Sequence, residues 1–148
     1  MARGVSGRKW SVDTTRWPVI IVSQLVPELS DEERMAALQA TDHAIETDNG
    51  PYAVIHDARA AGAVSAKQRV MIAEFGKKHE ARTLARCAAV AFVFDSLVMR
   101  AALTAIQWVK PSSVDTKVFA DVHDAYVWSR DKLDARLAPR AQSDGQKR

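Results

Sequence analysis

The stretch Ala-Ala-Val-Ala-Phe-Val-Phe at 88–94 constrains this chain more than any other feature. It is continuously apolar, too short to be read as a helix, and rich in residues that suit a pleated strand. A strand apolar on both sides has to be covered on both faces, as the central strands of parallel sheets are. Parallel neighbours need crossover connections, so strands and helices should alternate on either side of this run.

The flanks follow that pattern. Trp10-Ser-Val-Asp-Thr alternates and predicts an edge strand. Trp17-Pro-Val-Ile-Ile-Val-Ser predicts a strand over 18–23, with Pro18 at its first position, where a missing N–H is tolerated. Ser30-Asp-Glu-Glu33 is a capping box, and Met35, Leu38, Asp42 and Ile45 follow at helical spacing until Asn49-Gly50-Pro51 ends the helix. Tyr52–His56 is a second core strand closing at Asp57. Ser65-Ala-Lys-Gln68 opens another helix, which places Gln68, Met71, Ile72 and Phe75 on one face and runs into the low 80s. Asp95-Ser96 opens a largely apolar helix from Leu97 to about Val109, stopped by Pro111. Lys117-Val-Phe119 is a short strand, and Asp121 caps a final helix through Leu137. The expected fold is α/β, a mixed, mostly parallel sheet of about five strands with about four helices. With 148 residues, one domain is expected at 10–137, between a flexible segment 1–9 and a flexible basic tail 138–148.

Composition excludes several classes. Hydrophobic residues make up 47% of the chain, enough to sustain a core. A single cysteine, Cys87, permits neither an internal disulfide nor a thiolate zinc cage, and a cytoplasmic setting is expected. No apolar run reaches the roughly 20 residues of a membrane span, and MARGVSGRKW lacks the apolar stretch of a secretory signal.

The net charge of +3 invites a nucleic-acid reading, but its distribution argues against one. Residues 1–16 and 130–148 each carry +3, whereas 17–129 hold 11 basic and 14 acidic residues. Within that acidic body the first helix region, 28–48, has seven acids and a single base, Arg34. The second, 65–86, has six bases and two acids. Helices of opposite sign can neutralise each other by packing side by side, or can offer complementary charge to a partner or a second copy.

Catalytic motifs are sparse. There is no glycine-rich phosphate loop and no G-x-S-x-G elbow. His43, His56, His79 and His123 fall on four different elements, and no metal or cofactor is expected. His56-Asp57 stands at the C-terminal end of a strand, where open α/β sheets bind ligands, although Asp57 is also well placed to close its own loop. Cys87 reads as a small buried hydrophobe. Trp10, Trp17, Trp108 and Trp128 read as core or helix-packing residues.

The order of elements resembles the STAS domain, named for sulfate transporters and anti-sigma-factor antagonists. The segments that carry the resemblance are Trp17–Val22, Tyr52–Asp57, Ala91–Phe94, Arg100–Trp108 and Val118–Trp128. Stand-alone bacterial members carry D-L-S after the third strand, then D-S-S-G-L-G opening the next helix. A partner kinase phosphorylates a serine of that second motif, and the phosphate disrupts binding to that partner. Here Asp57-Ala58-Arg59 stands where D-L-S would be, and Ser65 falls near the phosphorylatable serine. Val64 and Ala66-Lys67-Gln68-Arg69 replace the remainder of the motif.

The resemblance implies a non-enzymatic regulatory module. It would bind a protein partner, an anti-sigma factor or regulatory kinase, through Asp57, Arg59, Ser65, Lys67 and Arg69, with Ser65 as candidate phospho-acceptor. A homodimer is compatible with the charge contrast, and specific nucleic-acid binding is not expected. The alternative is a small apolar-ligand or lipid-binding domain, because related α/β domains can open a pocket between helix and sheet. An enzyme working through His56, Asp57 or Cys87 is a further rival.

Overall fold

A computed structural model describes residues 5–6, 9–97 and 114–138. The expected helix beyond its first residue, Leu97, its stop at Pro111, Trp108 and the tail after 138 lie outside the described residues. Six strands form one sheet: β1 (Val5–Ser6), β2 (Trp10–Asp13), β3 (Val19–Gln24), β4 (Tyr52–Asp57), β5 (Cys87–Val93) and β6 (Thr116–Phe119). Their order in the sheet is their order in the chain. The first two pairings are antiparallel and the other three parallel. The expected class and mostly parallel sheet therefore hold. The additional strand is β1, contributed by the segment expected to be flexible.

Four helices are described: α1 (Asp31–Glu46), α2 (Ala66–Lys78), α3 (Glu80–Arg86) and α4 (Val122–Leu137). Three of the caps read from sequence, at Ser30, Ser65 and Asp121, are present, and the one at Asp95-Ser96 belongs to the expected helix that, beyond Leu97, lies outside the described residues. Ser30 Oγ accepts from the Glu33 N–H at 3.1 Å, and Glu33 Oε1 accepts from the Ser30 N–H at 2.8 Å. Ser65 Oγ accepts from Gln68 N–H, and Asp121 Oδ1 from Asp124 N–H. One boundary differs. The helix expected to run unbroken from Ser65 into the low 80s divides at His79, whose backbone leaves helical geometry (φ −108, ψ 13). Gly76, a poor helix former, lies one turn earlier, and the His79 ring turns toward Phe75 and Asp42.

Alternation along the strands sorts two cores. Val19, Ile21, Ala53, Ile55, Ala89, Ala91 and Val93 point to one face and meet Ala125 and Leu133 of α4. Ile20, Tyr52, Val54 and Cys87 point to the other and meet Ala44 and Ile45 of α1. Of the tryptophans, Trp10 and Trp17 pack on this second core and Trp128 on the first.

Opposite charge joins α1 to the helices that follow β4. Lys67 Nζ lies 2.7 Å from Asp31, and Arg82 Nη1 lies 2.5 Å from Asp42 and also contacts Glu46. The acidic and basic helices thus neutralise each other within one molecule. No helix among the described residues is long and apolar enough to cross a membrane.

Candidate functional site

The two sheet faces are covered differently. On α2 only Gln68 is buried, so this helix leans on α1 and stands away from the strands. Beneath it, against β3, β4 and β5, lies a cavity of about 730 Å³, within the range of small-molecule sites. Val22, Val54 and Phe92 form its floor, Leu38 and Ile45 of α1 one wall, and Ile72 and Phe75 of α2 its cover. The lining reaches exposed positions at Arg69 and Gly76, so the cavity communicates with the surface.

Its two ends differ in charge. At the N-terminal end of β4 sit Tyr52, Thr83 and the Arg82–Asp42 pair, with His79 Nε2 3.6 Å from the same Asp42 carboxylate. At the other end, Arg34 donates from Nε to Gln68 Oε1 at 3.1 Å and from Nη2 to Gln24 Oε1 at 2.9 Å. Both amides are fixed in turn. Gln24 Nε2 donates to the Val26 carbonyl at 2.9 Å, and Gln68 Nε2 to the Leu29 carbonyl at 2.7 Å and to Asp31 Oδ1 at 3.0 Å. Burial works against the Arg34 charge and pulls its pKa down.

His56 completes this end. Its ring stacks on Phe92 with centroids 5.1 Å apart. Burial, reinforced by the Arg34 charge, lowers its pKa to about 4, so the imidazole is neutral at physiological pH. The segment after β4 closes the rim. Gly62 N–H donates to the Pro27 carbonyl at 2.9 Å, and a Cβ at Gly62 would approach that oxygen to 3.1 Å, so the glycine allows the close contact.

The residues singled out from the sequence divide here. Asp57 and Arg69 line the cavity, and Asp57 is also bound by Arg59 through Nε at 2.9 Å and Nη2 at 2.8 Å. That pair, with backbone N–H donation from Arg59, holds the Asp57 carboxyl below its usual range. Ser65 serves as the α2 cap, and Lys67 pairs with Asp31. Arg59, Ser65 and Lys67 are not among the cavity-lining residues. Of the residues of the rival enzyme reading, Asp57 is engaged by Arg59 rather than His56, and burial pushes the Cys87 thiol up to about 11. Arg34 is not among the site residues expected from the sequence. Its signal was its standing as the single base in an acidic helix, in the stripe Arg34, Leu38, Thr41 and Ile45 that faces the cavity.

No family model and no curated protein sequence matches this chain. Among solved structures it is similar to an uncharacterised protein of the DUF3478 family with a SpoIIAA-like fold from Shewanella loihica PV-4. The TM-score is 0.62 at 18% identity, over 86% of this chain and 98% of that one. The chain therefore has the SpoIIAA-like, or STAS-like, fold that its order of elements suggested.

Proposed function

We propose that this protein is a non-enzymatic, cytoplasmic STAS-like module that binds a small apolar molecule between α2 and the sheet. The observation that carries this reading is the cavity of about 730 Å³, whose floor and cover are aliphatic and aromatic side chains. A packed domain of this size has few voids larger than a water molecule. Large side chains such as Phe92 and Phe75 face this space, and an apolar occupant would bury them. The test is native mass spectrometry of gently purified protein, with displacement of a fluorescent apolar probe by extracted candidates. Leu38→Trp, which fills the cavity from α1, should abolish probe binding while leaving the fold intact by circular dichroism. Unchanged probe binding in that variant would overturn the reading.

A second reading places a regulatory protein partner, an anti-sigma factor or kinase, on the 57–69 segment and the start of α2. One observation favours it: Val70 is 57% exposed, one turn from Lys67, whose side chain is 76% exposed. Arg69 beside it is exposed as well, and an apolar residue next to an arginine suits a partner contact. Val70→Asp should abolish association with a cognate partner measured by calorimetry, and Ser65→Asp should weaken it if phosphate acts there. Equal affinity in both variants would remove this reading.

A further inference from the structure

We propose that the cavity takes an elongated molecule bearing one carboxylate, with Arg34 and His56 as its head-group site. This rests on the ligand-binding reading above and adds the charge of the ligand and the end at which it sits.

The charge at this end of the cavity is unbalanced. Arg34 is half-buried, and its two side-chain hydrogen bonds both go to neutral amide oxygens. No carboxylate among the described residues forms an ion pair with it. Of the other cations around the cavity, Arg59 has Asp57, Lys67 has Asp31 and Arg82, at the far end, has Asp42 and Glu46, while Arg69 stands exposed at the rim. A partly desolvated guanidinium without an anion is costly, and its remaining N–H groups are donors in search of an acceptor. Gln24 and Gln68 hold the guanidinium plane in place, because each is anchored to backbone carbonyls on its other side. The fork is therefore pre-organised for a carboxylate.

His56 adds a donor without adding charge. Its imidazole makes no hydrogen bond among the described residues, and its stacking on Phe92 fixes the ring against the floor. A neutral imidazole offers one N–H. Asp57, which also lines the cavity, is already matched by Arg59, so one guanidinium and one neutral imidazole balance a single further negative charge, whereas a phosphate monoester would bring excess charge into an apolar space. Arg69, exposed at the rim, adds positive potential at the entrance.

The body of the ligand then runs along β4. From His56 to Tyr52 the strand spans roughly 13 Å, flanked by Leu38, Val54, Ile72 and Phe75. At the far end the Arg82 charge is already matched by carboxylates, so that end offers no second anion site.

The experiment compares acids with their own uncharged esters on ligand-stripped, full-length protein near neutral pH. Dodecanoic acid against methyl dodecanoate tests a lipid source, and 2-naphthoic acid against its methyl ester tests a compact aromatic source. In at least one series the acid should bind about tenfold tighter or more. Arg34→Gln should bring that ratio to about one, and Arg34→Lys should keep part of it. Equal affinity of acid and ester in the wild type overturns the head-group site but leaves the cavity reading standing. No binding in either series overturns both. A ratio that persists in Arg34→Gln overturns the assignment to Arg34. If Arg34→Gln fails to fold, the wild-type ratio and Arg34→Lys still decide.

Discussion

The two faces of one sheet have been covered by opposite means. Toward α4 the strands present Val19, Ile21, Ala53, Ile55, Ala89, Ala91 and Val93, small or branched side chains. The helix answers with Ala125, Ser129 and Leu133, spaced one turn apart and fully buried. Small residues on both sides let backbone approach backbone, and that face closes. Toward α1 and α2 the same strands present Tyr52, His56 and Phe92, which are larger. The open space nevertheless lies on this side. The cavity comes from where α2 is held against α1, by Gln68 between Arg34 and Asp31, and not from a shortage of side-chain volume on the sheet.

The largest expected effect tests the closed face. Leu133→Ala should cost about 2–5 kcal/mol in urea unfolding, because its surroundings cannot collapse. Leu38→Ala on the cavity wall should cost less than half as much. Equal losses would mean that the two faces are packed alike.

The next effect belongs to the open face. His56 is neutral when folded, with its pKa lowered to about 4 against an ordinary 6.5. Between those values the unfolded chain binds a proton that the folded one does not. Stability should therefore fall as pH drops from 6.5 toward 4, by up to about 3 kcal/mol. His56→Phe should flatten this limb in pH-dependent melting. A limb of the same depth in that variant would assign it to other groups.

Ser65→Ala removes the α2 cap, worth about 0.5–2 kcal/mol to the helix. Because α2 leans on α1 rather than on the sheet, the loss should appear as faster amide exchange confined to 66–78. Faster exchange throughout the sheet would show that α2 is part of the same cooperative unit as α4. The smallest effect is expected for Lys67→Ala. Its exposed pair with Asp31 should leave the melting temperature unchanged, and a clear drop would show that this contact holds α2 in place.

Much of the framework was legible because it rests on local chemistry. The β-branched run at 19–22, the Ser30 capping box and the apolar stretch at 88–94 each declare their element within a few residues. The two-sided covering of β5 followed from Ala88–Phe94 alone. What the sequence did not disclose depends on distances between elements. Gln68, Ile72 and Phe75 share a face, as the periodicity indicated, but periodicity does not say how far that face stands from the sheet. The break at His79 depends on a side chain turning toward another helix. Arg34 was conspicuous as a lone base among acids. Its role required knowing that its partners are the amides of Gln24 and Gln68, ten and thirty-four residues away.

The match between sheet order and chain order has a consequence for biogenesis. Each strand pairs with the strand made just before it, from β1 to β6. A chain of this topology keeps its pairings close in sequence, which lowers the entropy of closing each one and speeds folding. On a ribosome, every newly emerged strand would find its template already laid down, and the sheet could grow at one edge at the pace of translation.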